Sequence, residues 1–124
     1  MRNSRLMYDY LIDCNIQPEV KNGSLIFDYE GEVFLYLNND EDDSYFEIDL
    51  PNLYEVNSFE INKALKIINE INSGFKLVKL IESDGHIHAT AQILIDSSPE
   101  LDDLVPRLVH MLIGAKNEFN KYIK

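Results

Sequence analysis

The stretch LIFDYEGEVFLYL, residues 25–37, decides the fold because it holds two short alternating runs separated by a glycine. In the first run Leu25, Phe27 and Tyr29 recur at every second position, and Gly31 follows where a tight turn is expected. A period of two is typical of a β-strand, and a short glycine-containing link joins antiparallel neighbours. The stretch therefore predicts a β-hairpin with one packed face and one face in contact with water.

The second run of this hairpin is apolar on both faces. Val33, Leu35 and Leu37 form one face, which we expect to pack on helices, and the aromatic residues between them form the other. Aromatic clusters on a sheet surface are favoured contact sites for partners. The predicted partner-binding residues are Ile26, Phe34, Tyr36 and Tyr45. Alternatively, a helix of the same chain or a second subunit covers these aromatics.

Further secondary structure is predicted on both sides of the hairpin. A helix over residues 4–14 precedes it, and a third strand through Phe46, Ile48 and Leu50 follows and ends at Pro51. Asn57 and Glu60 have the spacing of a capping box, which starts a second helix. Asp84-Gly85 is a strong signal for a type I′ turn and predicts a second hairpin. A last helix should begin at Ser97 or Ser98 and either kink at Pro106 or follow a separate turn there.

The predicted order of elements is α-β-β-β-α-β-β-α. Helices segregated from antiparallel strands are typical of the α+β class, and the short links favour an antiparallel sheet of about five strands with helices on one face. No repeat or linker divides the 124 residues, so we predict a single domain over residues 1–124.

The charge of the chain is strongly acidic and unevenly placed. Residues 19–60 hold twelve Asp and Glu against Lys21 alone, which accounts for the whole net charge of −11. Such a field repels phosphate backbones and anionic lipid, so nucleic acid and membrane surfaces are poor partners, and it attracts a basic protein or peptide. The acidic segment could equally serve solubility alone.

The location expected from the sequence is cytoplasmic. Cys14 is the only cysteine, so no internal disulfide forms, and its place in the apolar stripe of the first helix favours a buried thiol. No apolar run is long enough for a signal peptide or a membrane span.

The residues that could support chemistry are few. His86, His88 and Asp84 could share a metal ion, but a solvated strand face is the better interpretation, and the acidic segment from Asn38 to Ser44 lacks the glycine and glutamate of an EF-hand loop. No phosphate-binding, dinucleotide, zinc-protease or serine-hydrolase motif is present. We predict no catalytic residue, no metal and no cofactor.

Several short segments resemble the YbjN-like family, which belongs to the type III secretion chaperone-like fold. They are Gly23 before a strand ending Phe27-Asp28-Tyr29, the strand exit Phe46-Glu47-Ile48-Asp49-Leu50-Pro51, and Asn69-Glu70-Ile71-Asn72 closing the middle helix. The resemblance implies small acidic proteins, often homodimers, that hold an unfolded segment of a client. The YbjN-like branch itself is described as sensory-transduction or stress regulators with no accepted activity.

The function expected from these observations is a non-enzymatic protein-binding module, chaperone-like or regulatory, that forms a homodimer. The alternative is an acidic inhibitor or immunity-type protein that masks a basic partner, with residues 19–60 mimicking a polyanion.

Overall fold

The computed structural model describes residues 2–38, 44–95 and 99–124. The predicted acidic loop at 39–43 and the predicted helix caps Ser97 and Ser98 lie outside these ranges. The elements, in chain order, are α1 (Arg2–Asp13), β1 (Glu19–Lys21), β2 (Ser24–Tyr29), β3 (Glu32–Leu37), β4 (Tyr45–Glu55), α2 (Ile61–Gly74), β5 (Val78–Ser83), β6 (His86–Leu94) and α3 (Leu101–Ile123).

The strands form one antiparallel sheet in the order β1-β2-β3-β4-β6-β5. Each described hairpin turns through two residues with positive φ, at Asn22-Gly23, Glu30-Gly31 and Asp84-Gly85, which is the type I′ geometry that matches the twist of the strands. The predicted α+β class, with helices against an antiparallel sheet, is confirmed. The sheet has six strands because Asn22-Gly23 closes a hairpin with the short strand β1, which was not predicted.

The core lies between one face of the sheet and the three helices. α3 packs on β4, β5 and β6, α2 packs on β5, and α1 packs on β2 and α3. The strands contribute large side chains to this layer, and α3 contributes a buried stripe along its length: Val105, Leu108, Val109, Leu112, Ala115, Phe119 and Ile123. Because the described helices pack on this face, no described helix covers the opposite face of the sheet, which we call the open face.

Two local predictions need correction. β4 does not end at Pro51: it continues to Glu55 through a bulge between Leu50 and Tyr54, where a residue without an N–H is tolerated. Cys14 is exposed rather than buried. α1 ends at Asp13 in a cap where Asn15 has a φ of 62° and the Ile16 N–H donates to the Leu11 carbonyl, so Cys14 lies beyond the buried turns.

The structure also shows how α2 starts and whether α3 is interrupted at Pro106. The Asn57 side chain accepts from the N–H groups of Phe59 and Glu60, and Glu60 Oε1 accepts from the Asn57 N–H, so the predicted pair of hydrogen bonds is present. They close the turn before α2, whose N-cap is Glu60 and not Asn57. α3 is one helix across Pro106, and it begins at Leu101 with Asp102 and Asp103 in its first turn.

Candidate functional site

The two aromatic residues predicted to face a partner lie in the core instead. Phe34 is 0% exposed and Tyr36 is 2% exposed. Phe34 stacks on Phe27 with ring centroids 5.8 Å apart, and Tyr36 packs against Phe46 at 5.2 Å. The prediction that these rings form an open surface is therefore wrong, and the alternative, that helices of the same chain cover them, is what the structure shows.

The register of the first hairpin explains this burial. The two-residue turn at Glu30-Gly31 pairs Phe27 with Phe34 and Leu25 with Tyr36, so the large side chains of both strands share one face. The helices pack on that face because it offers the larger apolar volume. The smaller residues of β3 are left on the other side of the sheet.

An apolar strip consequently lies on the open face of the sheet. We use this term for Ile26 on β2 together with Val33, Leu35 and Leu37 on β3. Ile26 lies opposite Leu35, and Val33 is 51% exposed. Two of the four predicted contact residues thus lie on the open face, Ile26 in the strip and Tyr45 at the end of β4 opposite Leu94.

Two carboxylates of β4 lie directly beside the apolar strip. Asp49 is paired with Leu35 in the register of β3 and β4, and Glu47 is paired with Leu37. From β6, Thr90 Oγ1 donates to Glu47 Oε2 at 3.1 Å and Gln92 Nε2 donates to Glu47 Oε1 at 3.3 Å. Asp49 Oδ1 is buried and has no hydrogen-bond donor among the described residues. Glu47 is thus stabilised by two donors, whereas Oδ1 of Asp49 is desolvated without a donor of its own and Thr90 compensates the Asp49 carboxyl only in part.

This environment makes Asp49 a weak acid. Burial, together with hydrogen bonding and repulsion from the neighbouring Glu47, raises the pKa of its carboxyl from the ordinary 3.8 to about 7, and a hydrogen bond from Thr90 offsets part of this rise. Near neutral pH the carboxyl is therefore only partly ionised. A cation placed against it would favour the charged form.

The raised pKa predicts that Asp49 destabilises the fold as pH rises. Between about pH 4 and pH 7 the folded chain holds a proton on Asp49 that the unfolded chain has lost, so stability from this group falls across that window and the cost is complete above pH 7. Asp49→Asn removes the titration. Urea unfolding should show the variant more stable than the parent at pH 8 and equal to it near pH 4. A difference that does not change with pH would contradict the assignment.

A second acidic group lies at the other side of the apolar strip. Glu19 on β1 is paired with Ile26, and Asp28 on β2 is paired with Val33. These side chains line a shallow depression of about 290 Å³ with Gln17 and Phe27. Within the described ranges neither Glu19 nor Asp28 forms an ion pair. The strip therefore has carboxylates on both sides.

The structure separates the acids of the segment 19–60 into two groups. Those off the strip have partners: Glu30 pairs with His110, Glu32 with Lys116, Glu55 with His86, and Glu60 accepts from the Tyr54 hydroxyl. Glu19, Asp28, Glu47 and Asp49 flank the strip and, over the residues that the structure places, have no basic partner. Much of the unbalanced charge of the described part thus lies on the open face.

The histidines considered as metal ligands are engaged otherwise. His86 Nε2 lies 3.7 Å from Glu55 Oε2, and His88 Nδ1 accepts from the Asn52 N–H at 3.0 Å. In the part of the chain with described coordinates, no group of three His, Cys, Asp or Glu is arranged to hold a metal ion. Nor does any helix there have the length and apolar character needed to cross a membrane.

A groove on the helical side is the main competing site. It encloses about 300 Å³ between α2 and α3, with Ile67, Ile71 and Phe75 among its apolar lining and Glu70 and Glu118 also lining it. Ile67 and Ile71 are less than a tenth exposed, whereas Tyr122, which also lines the groove, is about half exposed.

Comparisons with known proteins identify the fold. No protein-family model and no curated protein matches this sequence. The structure is similar to that of YbjN from E. coli, a candidate transcription regulator, with a TM-score of 0.61 and 10% identity over 96% of this chain and 87% of the other. It is also similar to an uncharacterized protein from Methanothermobacter thermautotrophicus, with a TM-score of 0.66 and 15% identity over 97% and 96% of the two chains. The chain thus has a YbjN-like fold, as the resemblance predicted.

Proposed function

We propose that this chain is a non-enzymatic protein-binding module, chaperone-like or regulatory, that binds its partner through the open face of the sheet. The observation that supports the proposal most directly is the apolar strip, in which Val33 is exposed and Ile26, Leu35 and Leu37 are half-buried, on a face that no described helix covers. Apolar side chains grouped on one surface mark sites of protein contact. The YbjN-like fold agrees with a regulatory role, since YbjN itself is named as a candidate regulator.

Substitutions in the strip test this proposal. Val33→Asp combined with Leu35→Asp should abolish association with the partner, because two carboxylates replace apolar contacts in a region that is already negative. The partner is first identified by affinity capture and mass spectrometry, and its association with purified variants is then measured by calorimetry. Leu65→Asp is the matched control, since Leu65 is 45% exposed on α2, on the helical side.

Circular dichroism establishes that each variant is folded. If the folded double variant binds as tightly as the parent, the open face is not the binding site. The homodimer and the cytoplasmic location expected from the sequence stay predictions. Light scattering on the same variants tests the homodimer, because a dimer built on the open face dissociates in the double variant and survives in Leu65→Asp.

The second candidate function is an acidic inhibitor that masks a basic surface. The four carboxylates beside the strip favour it, because their charge is not balanced by basic neighbours within the described residues. Affinity in that case falls steeply with salt, whereas burial of apolar surface in a chaperone-like interface is much less sensitive to salt.

A further inference from the structure

The shape of the apolar strip limits what can cover it. The strip is two strands wide, which is about 10 Å, and Val33 to Leu37 on β3 extends for about 13 Å. This matches the diameter of an α-helix and about nine residues of its length. An extended chain lying flat on the open face would leave its own N–H and C=O groups unpaired, whereas a helix pairs them internally.

Strand addition at a sheet edge is a poor alternative. At the β5 edge the Asn72 side chain donates to the Leu80 carbonyl at 3.0 Å and accepts from the Leu80 N–H at 2.7 Å. At the opposite edge β1 is only three residues long and two of them are charged. Short and charged edges resist pairing with another strand. The open face, rather than an edge, is therefore the surface available to a partner.

The charges beside the strip define the chemistry of the occupant. Glu19 and Asp28 lie on one side and Glu47 and Asp49 on the other, so a helix on the strip has carboxylates along both flanks. Lysine or arginine on both sides of an apolar stripe complements this arrangement. If two copies of the chain paired through their open faces, the four carboxylates of one copy would lie against the same four of the other. Repulsion between like charges therefore disfavours a face-to-face dimer.

We infer that the open face binds a basic amphipathic helix of another protein, with its apolar stripe on Ile26, Val33 and Leu35 and a lysine or arginine at Asp49. This inference rests on the proposed function and names the class of partner. Asp49, which is paired with Leu35 beside the strip, is the carboxyl nearest to an incoming ammonium or guanidinium group. Glu47, held by Thr90 and Gln92, is the fixed second carboxylate of that contact.

Designed peptides test the inference on the full chain. The probe is a capped helical peptide of about 18 residues with a leucine stripe flanked by lysines. One matched peptide has glutamate in place of lysine, and another has the same composition with the stripe scrambled. Calorimetry should show binding of the lysine peptide, no binding of the glutamate peptide, and affinity at least about tenfold lower for the scrambled one.

Charge-neutralising variants then locate the contact. Glu47→Gln with Asp49→Asn should weaken the lysine peptide about tenfold or more. Glu70→Gln with Glu118→Gln removes the same charge from the helical groove and should leave affinity within about twofold. Equal losses in the two double variants, or no loss in the first, would overturn the inference.

The outcomes also separate this inference from the proposed function. If Val33→Asp with Leu35→Asp abolishes association with the captured partner while Glu47→Gln with Asp49→Asn does not change it, the open face binds proteins but not through a basic helix. If neither double variant affects the captured partner, the proposed function fails. A third outcome is possible: light scattering shows a dimer that dissociates in Val33→Asp with Leu35→Asp, and the parent does not bind the lysine peptide. In that case the occupant of the open face is a second copy of this chain.

Discussion

Phe34→Ala should lower the free energy of unfolding by about 3–5 kcal/mol, the largest effect we expect from a single substitution in this chain. The ring is completely buried and stacks on Phe27 under the helical layer. Its removal costs both the transfer of apolar surface from water and the cavity that rigid neighbours cannot close. Urea unfolding followed by circular dichroism measures the change.

The adjacent residue provides the control. Val33→Ala removes apolar atoms from the same strand, but Val33 is half exposed on the open face. Its cost should be about 1 kcal/mol or less, most of it from the lower strand propensity of alanine. Similar losses in the two variants would mean that the faces of β3 are not distinguished as described. A larger loss for Val33→Ala would mean that they are reversed.

Asn72→Ala should destabilise the chain by about 2 kcal/mol although the residue lies near the end of a helix. The side chain pairs with both backbone groups of Leu80, as a neighbouring strand would, and so closes the edge of β5. Truncation leaves a donor and an acceptor in a half-buried position without these partners. The free energy of unfolding and amide hydrogen exchange at Leu80 are the measurements.

Asn69→Ala is a matched control on the same helix. Asn69 is exposed, so its replacement should be neutral or stabilising by a few tenths of a kcal/mol because alanine is the better helix former. The same gain accompanies Asn72→Ala, and the difference between the two variants therefore reports the hydrogen bonds to Leu80. If the two variants have the same stability, the edge contact contributes nothing.

The sequence analysis did not predict correctly which face of β3 is buried. Both alternating sets on β3 are apolar, so periodicity alone cannot say which of them is buried. A signal was nevertheless present in Glu30-Gly31. A two-residue turn there pairs Tyr29 with Glu32 and hence Phe27 with Phe34, which puts the aromatics of both strands on one face. The same reasoning applied to Asn22-Gly23 would have predicted β1.

The residues of the open face were predicted in part, and their role in binding stays a prediction. Ile26 and Tyr45 lie on the open face, and the acidic character of the segment 19–60 was recognised from composition. Which carboxylates lack a basic partner was not predicted. Glu30 and Glu32 differ from Glu47 and Asp49 because basic residues of α3 pair with the first two. His110 and Lys116 reach the first two across about eighty residues of sequence.

The sequence by itself determined every element except β1, together with the turns and the α+β class, since alternation, turn residues and glycine at positive φ act within a few residues of one another. Only the tertiary structure decided which face of β3 is buried, how β4 continues past Pro51, and why Asp49 is a weak acid. Each of these depends on groups far away in the sequence: the volume that the helices fill, the His88 acceptor beside the bulge, and the strands that exclude water from one carboxyl.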